Sequence, residues 1–449
     1  MGVMIVRVAI IGAGPAGLVT GIGLARRGHE VVAVDRDAGP PANGRWDRRG
    51  VMQFHHAHAF RPQVGQTLRE IAPDAWDAWL AAGAEPVTMT TPDGTEVLGG
   101  MRSRRETFER AVRSTAARQP GLTLETGHVD GLTTRRGRVG GISVDGHDLP
   151  ADLVVDASGR SGRVNRHLRA PGVGGECGIA YVDRQYRLRP GEQPPLTNPI
   201  AWQGSYDGFG VLVFVHEQGI FSALLIRNTS DRSLVDLRHT AAFEAAAAAV
   251  PGLAAWTDPS VATPLTDVLP GGPLLNVYRG QQGPDGRPAL PGLVFVGDSV
   301  CTTTPNFGRG ITTSLLQVAE LLRLVDEHRT DVEAVAGGLD AFGEERMRPW
   351  VEDHVQMDSA QARRWAGDDV DLSGPLPSDV IMMAADRDPS IGEAIGPYAA
   401  MAALPTSLRA AEDRARAVYA TGWRHPFDPG PTRGELAEVV ARAVPAAAR

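Results

Sequence analysis

The chain has no lysine among its 449 residues, so every strong base in it is arginine. That excludes chemistry built on a lysine Schiff base or a P-loop lysine. Cysteine is nearly absent too. Cys177 and Cys301 are the only two, too few for a disulfide framework, and the expectation is a reducing, cytoplasmic setting. Aromatic residues make up 6%, and there is no positive surplus: the net charge is −8. This speaks against nucleic acid or an anionic membrane as partner. A long apolar run is also missing. Val8 to Ala25 carries no charge and precedes Arg26-Arg27, but it falls short of the ~20 apolar residues of a span, and glycines and Pro15 interrupt it. Met1-Gly2 has no Ser or Thr at position 6, as myristoylation requires; Met4 offers a second start.

What the N-terminus does hold is a phosphate-binding pattern. Ile5 to Ile11 is a short β-branched run of the kind that forms a buried parallel strand. Gly12-Ala-Gly14-Pro15-Ala16-Gly17 follows, then a helix over Leu18 to Arg27 and a second strand over Glu30 to Val34, ending at Asp35. Each glycine has a job: Gly12 permits the tight turn, Gly14 lets backbone approach a pyrophosphate, and Gly17 lets helix pack on strand. The helix N-terminus offers free N–H groups and a positive dipole end to phosphate. An acid rather than arginine at position 35 suits an unphosphorylated ribose, hence FAD or NAD over NADP.

Two later motifs choose FAD. Ala151 to Arg160 reads ADLVVDASGR, an apolar strand ending in Asp156 and a turn through Gly159. Leu293 to Val296 leads into Gly297-Asp298 and a Thr- and Gly-rich loop through Pro305, Gly308 and Gly310, after which Ile311, Leu315, Val318, Leu322 and Val325 recur at helical spacing. A carboxylate at a strand end, beside small residues, suits a ribityl hydroxyl. The helix from Gly310 would aim its dipole at the negative charge that reduced flavin carries near N1 and C2=O.

GAGPAG at 12–17, DASG at 156–159 and GD…P..G.G at 297–310 resemble the group A flavoprotein monooxygenases of the p-hydroxybenzoate hydroxylase fold. The resemblance covers about residues 4–345. It implies bound FAD, NADPH or NADH as a transient reductant, O2, and a flavin C4a-hydroperoxide as oxygen donor. It places Gly12, Gly14, Pro15, Ala16, Asp35 and Arg36 at the pyrophosphate and adenosine ribose, Arg105 (or its neighbour Arg104) and Val129 at the cofactor, and Asp156 and Gly159 beside it. Gly297 and Asp298 fall at the ribityl chain, and Pro305, Gly308, Gly310 and Ile311 at the isoalloxazine. The family's G-D-A-A-H reads Gly297-Asp-Ser-Val-Cys301 here, so Cys301 stands at the histidine position. Arg48-Arg49-Gly50-Val51-x-Gln53, followed by H-x-H, is similar to the polyether and polyene epoxidase branch.

The expected fold is therefore α/β: a Rossmann-like FAD-binding domain with an inserted β-sheet substrate domain and a helical C-terminal region. The boundaries are residues 1–80, 101–175 and 276–345 for the FAD domain, 81–100 and 176–275 for the substrate domain, and 346–449 for the helical region. Only one fingerprint is present, since Gly172-x-Gly174-Gly175 lacks a preceding strand. Ala241 to Val250 reads as a packing helix, and Thr432-x-x-Glu435 as a capping box.

The candidate catalytic residues are His55, His58 and Arg49. Three readings of His55-His56-Ala-His58 stand side by side: a polar wall of the flavin pocket, histidines satisfying backbone partners at a helix start, and a metal site, for which no acid or Cys of ligand spacing is present. If the stretch is helical, His55 and His58 share one face. Arg48 and Arg49 read either as guides for a nicotinamide phosphate above the flavin or as solvated surface arginines; Trp202, Tyr206 and Phe209 as cavity lining or as core. The expected function is an FAD-dependent monooxygenase that hydroxylates or epoxidises a small organic substrate in secondary metabolism, reduced by NADPH directly or by a separate flavin reductase. The alternative is a reductase or desaturase of an isoprenoid-like double bond. The tryptophan-type halogenase is disfavoured, because its active-site lysine and W-x-W-x-x-I motif are both absent.

Overall fold

The apolar run at the N-terminus is the centre of a parallel sheet. The structure, a computed structural model, describes residues 6–444 apart from 43, 49, 91–93, 161 and 330. Strand β1 (Arg7–Ile11) leads through helix α1 (Pro15–Arg26) to β2 (Glu30–Asp35). Helix α2 (Arg105–Arg118) then leads to β3 (Leu122–Thr126), and β4 (Leu153–Asp156) follows a three-stranded antiparallel hairpin sheet over 129–150. The order across the main sheet is Leu293–Phe295, β4, β1, β2, β3, every neighbouring pair parallel. One face packs through Val8, Ile10, Val155 and Val294 against α1 and helix α3 (Gly310–His328), which contributes Leu315 and Val318. The other face packs through Ala9, Val154 and Phe295 against Ile142, Val144, Tyr278 and Met347. Burial on both faces is why these strands read as continuous apolar runs.

Register decides where the site lies. Ile11 pairs with both Val34 and Asp156, and Phe295 pairs with Asp156. The chain therefore leaves the sheet at one edge, its carboxyl edge, at Gly12, Asp35, Ala157 and Val296. That edge is where ligands bind in open α/β sheets.

The second sheet is antiparallel: β5 (Ile179–Leu188), β6 (Ala201–Tyr206), β7 (Phe209–Val215) and β8 (Ile220–Asn228) run in the order β6, β7, β8, β5, with Ala262–Pro264 and Leu269–Gly271 paired to β5. The two-residue period sorts its side chains. Val211, Val213 and Val215 face the helices at 240–257 and the C-terminal helix Arg433–Ala443; Leu212, Phe214, Leu224 and Tyr181 form a separate cluster with Ala57 and Ala59 of the FAD domain. Tyr206 stacks on Phe209 at 4.9 Å, both buried in the helix-facing core. Those two aromatics are core, not cavity lining. Burying each contributes roughly 1.5–3 kcal/mol, which outweighs any gain from lining a wet pocket. Trp202 packs on the same core.

The glycines at 172–175 lie in and beside an antiparallel strand paired with Leu275–Tyr278, with no helix to follow. The Thr432/Glu435 capping box forms as expected. Helix α4 (Arg348–Trp365) braces the loop ahead of α3. Asp358 accepts from Asn276 and Thr304, and Asp353 from Arg309 and Tyr398. Among the described residues no helix is long and apolar enough to cross a membrane.

Candidate flavin site

The fingerprint turn has the geometry its glycines allow. Gly12 sits at φ +102, and a Cβ there would meet the Ala157 carbonyl oxygen at 2.6 Å; one on Gly17 would land on the Gly12 carbonyl. Gly14 is different: only Arg48 Nη1, at 3.8 Å, lies near its missing Cβ. It is the N-cap of α1, followed by Pro15, and no side chain caps that helix. The first-turn N–H groups of α1 are thus left to a ligand, and backbone approaches without obstruction, as a pyrophosphate needs. Ala16 completes the cradle against Gly297, whose φ is +74.

Asp35 closes β2 as the sequence requires, but its carboxylate is already engaged. It accepts from Ala13 N at 2.7 Å, from Asp37 N at 2.9 Å and from Arg48 Nη2 at 2.8 Å. Arg48 in turn donates to Glu109 at 2.5 Å, and Arg105 Nε donates to the other oxygen of Glu109 at 2.5 Å. The Arg48 side chain is 3% exposed. It is neither a solvated arginine nor a free guide for a nicotinamide; the half-buried carboxylate of Asp35 and the buried one of Glu109 hold it. The near alternatives at 104 and 105 part company. Arg104 turns to Glu217 of the substrate domain, whereas Arg105 points inward. Arg36 is exposed, beside Gly50, and Arg49 lies outside the described residues. Val129 is buried at the start of its strand.

Asp156 is spent on its own turn. Its oxygens accept from Ser158 N at 3.0 Å, Ser158 Oγ at 2.5 Å and Asn165 Nδ2 at 2.9 Å. It folds the small-residue turn that carries Gly159, which has φ +75 and nothing within 4 Å of its missing Cβ. Asp298 stands at the head of the next loop. Burial pushes its carboxyl up, and Arg105, Arg160 and Ser314 pull it back. Pro305 opens a short turn, Gly308 takes φ +59 against Ala59, and Gly310 starts α3, again with no side-chain cap and nothing near its missing Cβ; Ile311 is buried behind it. Cys301 is fully buried, and burial pushes its thiol up to about 12, so no thiolate replaces a histidine there.

The histidines separate. Residues 51–60 form turns, not a helix, so His55 and His58 do not share a face. His55 binds Asp47 at 2.8 Å and lies 3.8 Å from Glu106. His58 is held between the His56 carbonyl at 2.9 Å on Nδ1 and Arg105 Nη1 at 3.4 Å on Nε2. Arginine only donates, so His58 is the neutral Nδ1–H tautomer, and burial with Arg105 alongside keeps its pKa well below the ordinary value. His56, left out of the candidate set, turns to the substrate sheet. Its Nδ1 is 3.7 Å from Asp183, and its ring meets Tyr181 edge-on at 5.3 Å. Asp183 also accepts from Ala57 N at 2.6 Å, and Gln185 donates to the His55 carbonyl at 2.6 Å. Alternate residues of β5 thus carry the histidine loop. No signal in the sequence marked Asp183, because its partners are about 130 residues away. Among the described residues no group of three His, Cys, Asp or Glu side chains is placed to hold a metal ion.

Residues 6–205 match the family described as pyridine nucleotide-disulphide oxidoreductase. No curated protein sequence matches the chain. Among solved structures, the probable FAD-dependent monooxygenase PqsL from Pseudomonas aeruginosa superposes with TM-score 0.57 at 15% identity, covering 81% of this chain and 98% of its own. The flavin-dependent halogenase CmlS gives 0.61 at 17%, covering 98% and 77%. CtdE, solved with FAD and a substrate, gives 0.56 at 16%, covering 81% and 91%. The chain has the fold of the group A flavoprotein monooxygenases. The residues present suit FAD: an open Gly14, two uncapped helix N-termini and a half-buried Asp298 at one sheet edge. The matched family name does not bring a second dinucleotide fold with it. The other large sheet among the described residues is antiparallel.

Proposed function

We propose that the protein is a monooxygenase that places one oxygen atom from O2 on a small organic substrate. The observation that carries this reading is the approach of Gly308, in the flavin turn, to Ala59, on the loop that β5 holds through Asp183 and Gln185. One short loop joins the flavin turn to the sheet that would carry the substrate. When bound, FAD would supply the redox chemistry between a reduced nicotinamide and O2. The chain's own residues bind, orient and exclude water. Gly12, Gly14, Pro15 and Ala16 cradle the pyrophosphate, and Asp35, with Arg36 and Val129 near it, meets the adenosine half. Asp298, supported by Arg105, hydrogen-bonds the ribityl chain, while Pro305, Gly308, Gly310 and Ile311 back the ring. Ala57, Ala59, Tyr181 and Phe214 pack as a buried apolar cluster behind this loop. Beside it His58, kept neutral, and the His56–Asp183 pair are the polar groups available to orient a substrate or hold a proton. His55, paired with the exposed Asp47, stands further out, and Arg49 stays a candidate of the same proposal from the sequence alone.

The deciding experiment is turnover under labelled O2 with NADPH: one labelled oxygen atom in the product supports the reading. Full turnover without oxygen, giving a saturated product, would replace it with the isoprenoid-type reductase. A second reading, a halogenase, is favoured by the 98% coverage of this chain by CmlS. A strict requirement for chloride or bromide would reveal it.

A further inference from the structure

Arg61 caps the helix Pro62–Ile71, just beyond Ala59, which the flavin turn approaches at Gly308. Its guanidinium is held at both tips. Nη2 donates to the carbonyl of Phe307, inside the flavin turn, and Nη1 to the carbonyl of Ala399. Gln63, in the first turn of the same helix, donates to the carbonyl of Ala400. Arg61 Nε is buried and has no partner. Both of its acceptors are neutral, and among the described residues Arg61 forms no ion pair. Arg309, at the head of α3, differs. It is fully buried, but Asp353 accepts from it at 3.1 Å, and the rings of Phe307, Trp350 and Tyr398 lie 4.4–4.9 Å from its guanidinium. His354, whose ring meets Phe307 edge-on at 5.5 Å, stays neutral, because burial, then Arg309 and Arg61, hold its pKa well below the ordinary value. Burial and Arg309 push Arg61 itself down to about 9, against the pull of Tyr398. The charge of Arg309 is matched on the spot; that of Arg61 is not.

A charge taken out of water is costly unless a counter-charge or good hydrogen bonds offset it. The two carbonyls offset part of the cost. What remains is a fixed positive charge tied to the turn that would back the isoalloxazine, beside the positive dipole end of α3. Reduction of FAD by a hydride from a nicotinamide adds two electrons and one proton to a neutral ring, which leaves negative charge near N1 and C2=O. We propose that Arg61 is the counter-charge to the reduced flavin, held in place by Phe307 and Ala399 so that it favours the reduced over the oxidised cofactor. A charge fixed in advance needs no reorganisation when the ring is reduced. Arg61 acts across the turn and touches no substrate, so it is a positioning residue and not a catalytic one. The inference rests on the flavin reading of this turn and not on oxygen insertion.

The test uses the FAD-loaded full chain, without substrate or turnover, and reads the two-electron midpoint potential at pH 7 against a reference dye. Arg61→Gln should lower that potential by at least about 30 mV, a tenfold change in the two-electron equilibrium. Arg61→Lys, which keeps the charge and loses the fork, should return most of the shift. Gln63→Ala cuts the neighbouring tie to Ala400 without touching a charge, and it should change the equilibrium by less than about threefold. If Arg61→Gln releases FAD, the ratio of its affinities for oxidised and reduced FAD gives the same shift by linkage. That ratio should then move about tenfold from the wild type, with reduced FAD losing more. An equal or higher potential in Arg61→Gln, or an equal fall in Arg61→Lys or Gln63→Ala, would overturn the proposal. A wild-type chain that takes up no FAD would overturn the flavin reading itself, and this inference with it.

Discussion

Arg48 donates to the Asp35 carboxylate at 2.8 Å from a position shut off from water, and through Glu109 it joins the adenosine end of the flavin site to Arg105 at the other end. Removing it leaves Glu109 to Arg105 alone and takes from Asp35 its ion-pair partner. Breaking a buried pair in this way typically costs about 3–5 kcal/mol. Arg48→Ala should show that loss in denaturant unfolding, whereas Arg45→Ala, whose partner Asp47 is largely exposed, should shift little. Equal stability in both variants would mean that the network is not formed.

The protein should purify with non-covalent FAD that is released on denaturation. In the proposed site Asp298 would meet the ribityl chain, and a charge-assisted hydrogen bond there is worth roughly 1.5–3 kcal/mol. Asp298→Ala should weaken FAD binding by about one to two decades. Unchanged affinity, measured by fluorescence of released flavin, would move the cofactor away from this loop.

The histidines should differ in effect. His56→Ala and His58→Ala should impair turnover or substrate binding while FAD stays bound, because His56 is buried against Asp183 and Tyr181 and His58 is held between the His56 carbonyl and Arg105. His55→Ala should be milder, since its partner Asp47 is largely exposed. Elemental analysis should find no stoichiometric metal, and a chelator should leave activity intact. Metal lost on mutating His55 or His58 would contradict this.

Asp183 carries a pH signature. Burial raises its carboxyl to about 8, from an ordinary 3.8. The folded state therefore holds a proton that the unfolded chain has released, and the associated stability is present below pH 3.8 and lost as pH rises through about 8. Between those limits the wild type should lose up to ~1.4 kcal/mol per pH unit relative to Asp183→Asn. Parallel stability curves across that range would show an ordinary, ionised Asp183.

Short-range patterns were enough for four of the five parallel strands; the edge strand Leu122–Thr126 was not among them. Isolated apolar runs ending in Gly12, Asp35, Asp156 and Gly297 could be read directly, because a doubly buried strand and a tight phosphate turn each leave a signature within a dozen residues. The same holds for α3 and for the capping box at Thr432. The partners of the charged groups were decided only in three dimensions. Nothing local distinguishes Arg48, buried between Asp35 and Glu109, from Arg45, which pairs with an exposed Asp47. Nor does spacing show that His56, rather than His55, faces the sheet, since 51–60 is held in turns by Asp183 and Gln185 from a strand far along the chain. Periodicity records which face of an element is buried; Coulomb energy and hydrogen bonding depend on distances that only the folded chain defines.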